Sequence, residues 1–189
     1  MAESDDKTGN PWKTLSTRMV YDNPWIRVRE DQVIHPDGQP GIYGVVHYKN
    51  LAIGIVAIDT DGNIHLVGQH RYPLNQYSWE IPEGGCPEGE DPLNAAKREL
   101  LEETGLEASD WKLAGGADLS NSVSDEHAIW FLASGLVQGE AAPEGTEVLE
   151  RRLVPVSEAL RMIDRHEITD ALSVIALLHF ARLRQSGEL

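Results

Sequence analysis

Glu99, Glu102 and Glu103 crowd together in the run GGCPEGEDPLNAAKRELLEETGL, Gly84 to Leu106. On a helix turning 100° per residue, Glu103 lies about 40° to one side of Glu99 and Glu102 about 60° to the other, so the three carboxylates share an arc of roughly 100°. Like charges three and four residues apart each cost about 0.2–0.5 kcal/mol on a bare helix. The cost grows beside a buried face, and Leu93, Ala96 and Leu100 occupy the neighbouring arc. Two readings fit. One is a solvated acidic face, although such faces usually intersperse lysines, and here Lys97 and Arg98 both precede the cluster. The other is a site for a hard divalent cation, which takes one or two carboxylates and offers its remaining positions to water and substrate phosphates. A further carboxylate can then act as a base.

The elements that must position these side chains are legible. Asp91 is a helix cap, Pro92 suits the first helical position, and Gly105 suits the residue past the end, so a helix is predicted over Pro92–Thr104. Leu106 is expected to pack back on Leu101 in a Schellman closure. Before the helix, YSWEIP reads as a short strand ended by Pro82 and the following glycines. Residues 52–72 read as two apolar strands, AIGIVAID and IHLVGQHRY, hinged at Asp61-Gly62, a hairpin signal. Trp12–Tyr48 reads as an antiparallel β-meander with a turn at PDGQPG. After the helix, WKLAGGADL and HAIWFLASGLV are strands joined by the polar loop SNSVSDE, AAPEGTEV is a loop, and LERRLVPV is another strand. Ser157 is expected to cap a helix over Glu158–Arg165, and a last amphipathic helix runs from Asp170 to Gln185. The order implies a mixed α/β or α+β fold with a β-rich N-terminal addition. The expected organisation is a disordered tail over 1–11, a β-rich segment over 12–50 and the main domain over 51–189.

The 189 residues carry a net charge of −15, which disfavours a nucleic-acid footprint. Cys86 is the single cysteine, so neither an intrachain disulfide nor a cysteine zinc site can form. The polar start MAESDDKTGN does not read as a signal peptide, and the longest apolar stretch, near Ala171–Phe180, is too short for a membrane span. A cytoplasmic protein with no membrane partner is the expectation.

The run from Gly84 to Leu106 resembles the Nudix box, G-x5-E-x7-R-E-U-x-E-E-x-G-U with U bulky and apolar. Gly84, Glu90, Arg98, Glu99, Leu100, Glu102, Glu103, Gly105 and Leu106 fill its positions. The resemblance implies a Nudix-type α/β/α sandwich with a mixed sheet, spanning roughly Ala52–Phe180. It implies cleavage of a nucleoside diphosphate linked to another moiety, dependent on Mg²⁺, with Mn²⁺ as a substitute. By this likeness Glu99, Glu102, Glu103 and the backbone carbonyl of Glu83 hold metal. Arg98 and Glu90 brace the loop, helix and ligands, with Glu90 a more distant ligand candidate. Gly84 permits close backbone approach and Gly105 ends the helix.

Other segments resemble the ADP-ribose and nucleotide-sugar pyrophosphatases within that family. The β-rich N-terminal segment is similar to theirs and implies a homodimer, often domain-swapped. GQHRYP resembles their Q-x-R-Y segment, which makes Arg71 a phosphate contact. SWEIPEGG resembles their E-L-P-A-G-x segment, with Glu83 where alanine is common. SNSVSDEH stands where they carry a catalytic glutamate, which nominates Glu126 as base, Asp125 second. Their proline-bearing segment after the box is missing, since the chain reads GGADLSNS, so ADP-glucose and GDP-mannose stay open beside ADP-ribose. Trp25, Trp79, Tyr72 and Tyr77 are candidates to stack on a base, and Arg27 and Arg29, alternate residues of one strand, are candidates to reach substrate. Two other activities stay open: hydrolysis of dinucleoside polyphosphates, and nucleotide-sugar sensing without catalysis.

Overall fold

The structure is a computed structural model describing residues 9–139 and 149–189, which leaves most of the expected N-terminal tail and the AAPEGTEV loop outside the described residues. The described chain divides into two units. In the first, β1 (Lys13–Asp22), β2 (Ile26–Ile34) and β3 (Pro40–Tyr48) form an antiparallel sheet in the order β1-β2-β3, the meander read from the sequence. The Asn23 side chain makes the first turn by accepting from the N–H groups of Trp25 and Ile26 at 2.9 and 2.7 Å. The segment Ser120–Glu126 joins this unit. It is bound to β3 by Val46 N–H to the Val123 carbonyl at 2.9 Å and Asp125 N–H to the Val46 carbonyl at 3.2 Å.

The second unit contains β4 (Asn50–Ala57), β5 (Asn63–Arg71), β6 (Gln76–Glu80), β7 (Glu83–Pro87), α1 (Pro92–Thr104), β8 (Leu106–Asp118), β9 (His127–Gln138), β10 (Glu150–Pro155), α2 (Val156–Asp164) and α3 (Ala171–Ser186). One sheet has the order β7-β4-β9-β8, with β4 and β9 parallel and the other pairs antiparallel; β10-β5-β6 form another, antiparallel throughout. The period of two along β4 organises the layers. Ile53, Ile55 and Ala57 pack with Ala95, Ala96 and Leu100 of α1, while Val56 packs in a core shared with Met162 of α2 and Leu172, Ala176 and Phe180 of α3. The mixed sheet therefore has helices on both faces, an α/β/α arrangement. Truncating the fully buried Leu100 to alanine would cost about 2–5 kcal/mol.

Four local expectations are corrected. β4 and β5 do not pair as a hairpin ladder: they meet at an isolated bridge, Ile58–Ile64, and continue in different sheets. Both strands are apolar on two faces, so each is a central strand with its own neighbours. The glycines after Pro82, expected only to end a strand, form one of their own: β6 stops at Glu80, and Glu83–Pro87 pairs Gly84 with Ile53 and Gly85 with Ala52 in the other sheet. Glycine reads as a breaker when only local preference is weighed. Ser157 does not cap α2; the helix starts at Val156 behind Pro155, whose φ of −58° suits an N-cap, and no side chain caps it. Nor does α1 close in a Schellman motif: Gly105 N–H donates to the Leu101 carbonyl at 2.8 Å, while Leu106 N–H donates to the Thr104 hydroxyl at 3.2 Å. α3 is capped by Asp170, which accepts from Ser173 N–H at 2.7 Å. Among the described residues no helix is long and apolar enough to cross a membrane.

Candidate active site

α1 begins and ends as its sequence directs. Asp91 accepts from the N–H groups of Leu93 and Asn94 at 3.0 and 3.1 Å, and Gly105 takes the left-handed φ of +72° that closes the helix. The glutamates sit toward its C-terminus, where the helix dipole opposes negative charge. Donors from distant strands offset this. Arg151 Nε donates to the Glu103 carbonyl at 2.7 Å, and Gln138 Nε2 and Gly139 N–H donate to the Gly105 carbonyl at 2.7 and 2.9 Å. Sequence reasoning missed Arg151 and Gln138, because no local signal links residues 48 and 33 positions apart.

The glutamates are held differently. Gly84 lies directly under Glu99: a Cβ built at Gly84 would fall 2.1 Å from the Glu99 carboxyl carbon, so only glycine lets the carboxylate lie on the strand. Glu103 is buried, and its Oε2 accepts from the backbone N–H of Glu83 at 2.9 Å. Arg98 lies against the other carboxylates. Its Nη1 donates to Glu99 at 2.7 Å and Glu102 at 3.3 Å, and its Nη2 donates to Glu90 at 3.2 Å and the Gly85 carbonyl at 2.9 Å. Burial would lower the Arg98 pKa, but hydrogen bonds to Glu90 and Glu99 outweigh it and keep the guanidinium charged. The structure thus brings Glu83, Gly84, Glu90, Arg98, Glu99, Glu102, Glu103 and Gly105 into one local frame.

Arg71 enters that frame from an unexpected side. Its Nε lies 3.0 Å from both oxygens of the buried Glu80, and its Nη2 donates to Glu80 and Glu83. Burial opposes its charge, yet these carboxylates raise its pKa further. Glu83 is pushed the other way: burial and the negative charges of Asp170 and Glu80 raise its pKa well above the ordinary carboxylate value, and Arg71 offsets only part of this. Its Oε2 is buried and accepts no hydrogen bond. The sequence placed Arg71 on a substrate phosphate; in the structure its guanidinium is committed to two side chains of its own chain. The adjacency of β5 and β6 was the signal that could have revealed Glu80 as a partner.

Arg27, Arg29, Trp25, Asp125 and Glu126 belong to the N-terminal unit. Arg27 pairs with Asp22 at 3.3 Å and Arg29 with Asp31 at 3.1 Å. Trp25 is two-thirds exposed. Glu126 follows Asp125, whose carboxylate accepts from Tyr48 N–H at 3.1 Å and lies 2.6 Å from His47 Nδ1. Burial would raise the Asp125 pKa, but the His47 and Tyr48 contacts outweigh it and hold it below the ordinary range. Burial and the charge of Glu126 raise the Tyr48 pKa. Of the stacking candidates, Trp79 is core, with the Arg152 guanidinium 4.0 Å from its ring centroid.

Among the described residues, no group of three or more His, Cys, Asp or Glu side chains is gathered at ligand spacing. The donor set nevertheless fits a hard cation. Glu99, Glu102 and Glu103 are oxygen donors on one face of a rigid helix. Arg98 stands between Glu99 and Glu102 as a built-in cation, and its bonds to Glu90 and Gly85 would keep it satisfied if it ceded them.

Comparison with known proteins agrees with this geometry. Residues 48–174 match the NUDIX domain model, and residues 12–46 match the nucleoside diphosphate sugar hydrolase N-terminal domain. An ADP-ribose pyrophosphatase of Mycobacterium tuberculosis is 33% identical over 181 residues, covering 94% of this chain and 84% of that protein. A methanol dehydrogenase activator of Bacillus methanolicus is 32% identical over 167 residues, covering 87% of this chain and 90% of that protein. A crystal structure of an ADP compounds hydrolase superposes with a TM-score of 0.84 at 20% identity, covering 94% of this chain and 97% of that one, a likeness of fold. With the matched domain spanning most of its length, this chain belongs to the Nudix family.

Proposed function

We infer that this Nudix pyrophosphohydrolase cleaves the diphosphate bond of a nucleoside diphosphate sugar, of the ADP-ribose, ADP-glucose or GDP-mannose type, giving a nucleoside monophosphate and a sugar phosphate. The observation that carries the reading is the contact between strand and helix: Gly84 under Glu99, and Glu83 N–H on the Glu103 carboxylate. The N-terminal domain match supports a nucleotide sugar over a dinucleoside polyphosphate.

Glu99, Glu102, Glu103 and the Glu83 carbonyl would hold Mg²⁺, or Mn²⁺ in its place. When bound, the ion neutralises the diphosphate and polarises the attacking water. Arg98 would release Glu99 and Glu102 to the ion while keeping its bonds to Glu90 and the Gly85 carbonyl, so that neither the guanidinium nor the carboxylates are left uncompensated. Glu126 takes the proton as water adds to one phosphorus and the bridging P–O bond breaks. Arg27, Arg29 and Trp25 are proposed to meet substrate, as is Arg71 through whatever its carboxylate partners release. A homodimer is part of the reading. Every residue of β1 is exposed, and its large apolar side chains Leu15, Met19, Val20 and Tyr21 are each at least half exposed, which suits burial against a second copy. Light scattering on the eluted protein tests the dimer, and cell fractionation tests the proposed cytoplasmic location. The activity is tested by incubating the protein with Mg²⁺ and ADP-ribose, ADP-glucose, GDP-mannose, UDP-sugars or diadenosine polyphosphates, and identifying products by mass. Tight binding without turnover would favour a sensor instead.

A further inference from the structure

The last turn of α1 carries Glu102 and Glu103 but no basic residue of its own. The helix dipole already opposes negative charge there, and the last carbonyls of the helix need donors from elsewhere. Two are supplied locally: Gly105 N–H donates to the Leu101 carbonyl at 2.8 Å, and the Thr104 hydroxyl donates to the Leu100 carbonyl. The Glu103 carbonyl is served from β10, where Nε of Arg151 donates to it at 2.7 Å. Alternation along β10 sets this up. Arg152 lies over the Trp79 ring and Val154 packs in the core that holds Trp79, so the neighbouring Arg151 projects from the other face of the strand, toward α1.

Glu103 is thereby held at both ends. Its carboxylate accepts from Glu83 N–H at 2.9 Å and its carbonyl accepts from Arg151, and these two donors come from strands of different sheets. With the carboxylate alone fixed, the last turn could still pivot and carry Glu102 away from Glu99. With both ends fixed, the spacing of the three carboxylates is set by the fold itself.

We propose that Arg151 is a positioning residue of the cation site: by holding the Glu103 carbonyl it fixes the last turn of α1, and with it the arrangement of Glu99, Glu102 and Glu103 that a divalent ion must find. This rests on the divalent-cation reading above. Arg151 is also positively charged, so a second effect of opposite sign competes, repulsion of the ion. Position outweighs repulsion for two reasons. Arg151 is exposed on β10, so water and salt screen its charge. Its bond goes to the carbonyl of a buried residue, for which the end of the helix has no donor of its own. The two effects change cation affinity in opposite directions, which makes the sign of the change decisive.

The test is calorimetric titration of Mn²⁺ into chelator-stripped protein, with a thermal melt of each variant. Arg151→Met keeps the aliphatic stem and loses both donor and charge. At a temperature where both proteins are folded it should bind Mn²⁺ about 10-fold more weakly than wild type, the lower end for losing a partner that orients a metal ligand. A role in stability alone would lower the midpoint temperature and leave that affinity untouched. If Arg151→Met does not fold, Arg151→Gln takes its place with the same expected loss. Arg151→Lys, which keeps the charge and a donor, should recover most of the loss. Gln138→Ala removes one bond to the Gly105 carbonyl, which keeps the Gly139 N–H, and should change the affinity less than about 2-fold. Tighter or unchanged binding in the folded Met or Gln variant, a loss in Arg151→Lys as large as in that variant, or an equal loss in Gln138→Ala overturns the proposal. A wild type that binds no Mn²⁺ overturns the cation reading and this inference with it. A wild type that binds Mn²⁺ while Arg151→Met binds it as tightly overturns the inference alone.

Discussion

The backbone N–H of Glu83 donates to the Glu103 carboxylate across 2.9 Å, joining β7 to the last turn of α1. The bond fixes a buried carboxylate by a group that no substitution other than proline removes. Glu103→Gln should keep the acceptor and the fold, with a midpoint temperature within a few degrees of wild type, yet lower kcat by about 10²–10⁴ through loss of the charge. Steady-state kinetics with a parallel thermal melt checks this, and a near-normal kcat would remove Glu103 from the chemistry.

Gly84 tests the cradle from below. The Glu99 carboxylate occupies the space of its missing Cβ, since a Cβ there would fall 2.1 Å from the Glu99 carboxyl carbon. Gly84→Ala should push Glu99 off the strand, cost about 1–3 kcal/mol in stability, and weaken Mn²⁺ binding at least 10-fold by calorimetry. Unchanged Mn²⁺ affinity would separate Glu99 from the cation.

The loop carrying Glu126 can be divided into a chemical and an anchoring residue. Asp125 is tied to His47 and Tyr48 of β3, so Asp125→Asn and His47→Ala should lower kcat similarly, about 10-fold, while Glu126→Gln lowers it at least 100-fold. If Asp125→Asn matched Glu126→Gln and His47→Ala left kcat intact, Asp125 would be the base.

Much of α1 was legible before any coordinates. Asp91, Pro92 and Gly105 are local signals, and the helix runs between them as expected. The N-terminal meander was legible for the same reason, its strands joined by short turns. What the sequence hid was non-local. β4 and β5 look like a hairpin because each is apolar, yet β4 takes β9 and β7 as neighbours and β5 takes β6 and β10. β7 looked like a glycine loop because its side-chain space is filled by Glu99 and Asn50 from elsewhere. Arg71 looked available because a cationic side chain at a strand end reveals nothing of a carboxylate buried on the next strand.

One pH effect follows from burial alone. His65, on β5, has a lowered pKa because burial disfavours its charged form, with Asp59 offsetting part of the shift. Below its ordinary value of about 6.5 the unfolded chain takes up a proton that the folded chain refuses. The His65 contribution is therefore intact above that pH and lost as pH falls toward the lower folded value. Wild type should lose more midpoint temperature between pH 7 and 5 than His65→Gln does. Equal slopes in the two proteins would contradict the assignment.

The central claim is that the carboxylates of α1, held by β7 and neutralised by a divalent cation, hydrolyse a nucleoside diphosphate sugar. Its most direct test is mass identification of products after incubating wild type and Glu102→Gln with Mg²⁺ and the nucleotide-sugar panel. The account predicts a nucleoside monophosphate and a sugar phosphate from at least one nucleotide sugar with the wild type, falling by orders of magnitude in the variant and with chelator. Turnover of no nucleotide sugar, or equal turnover by both proteins, would contradict it.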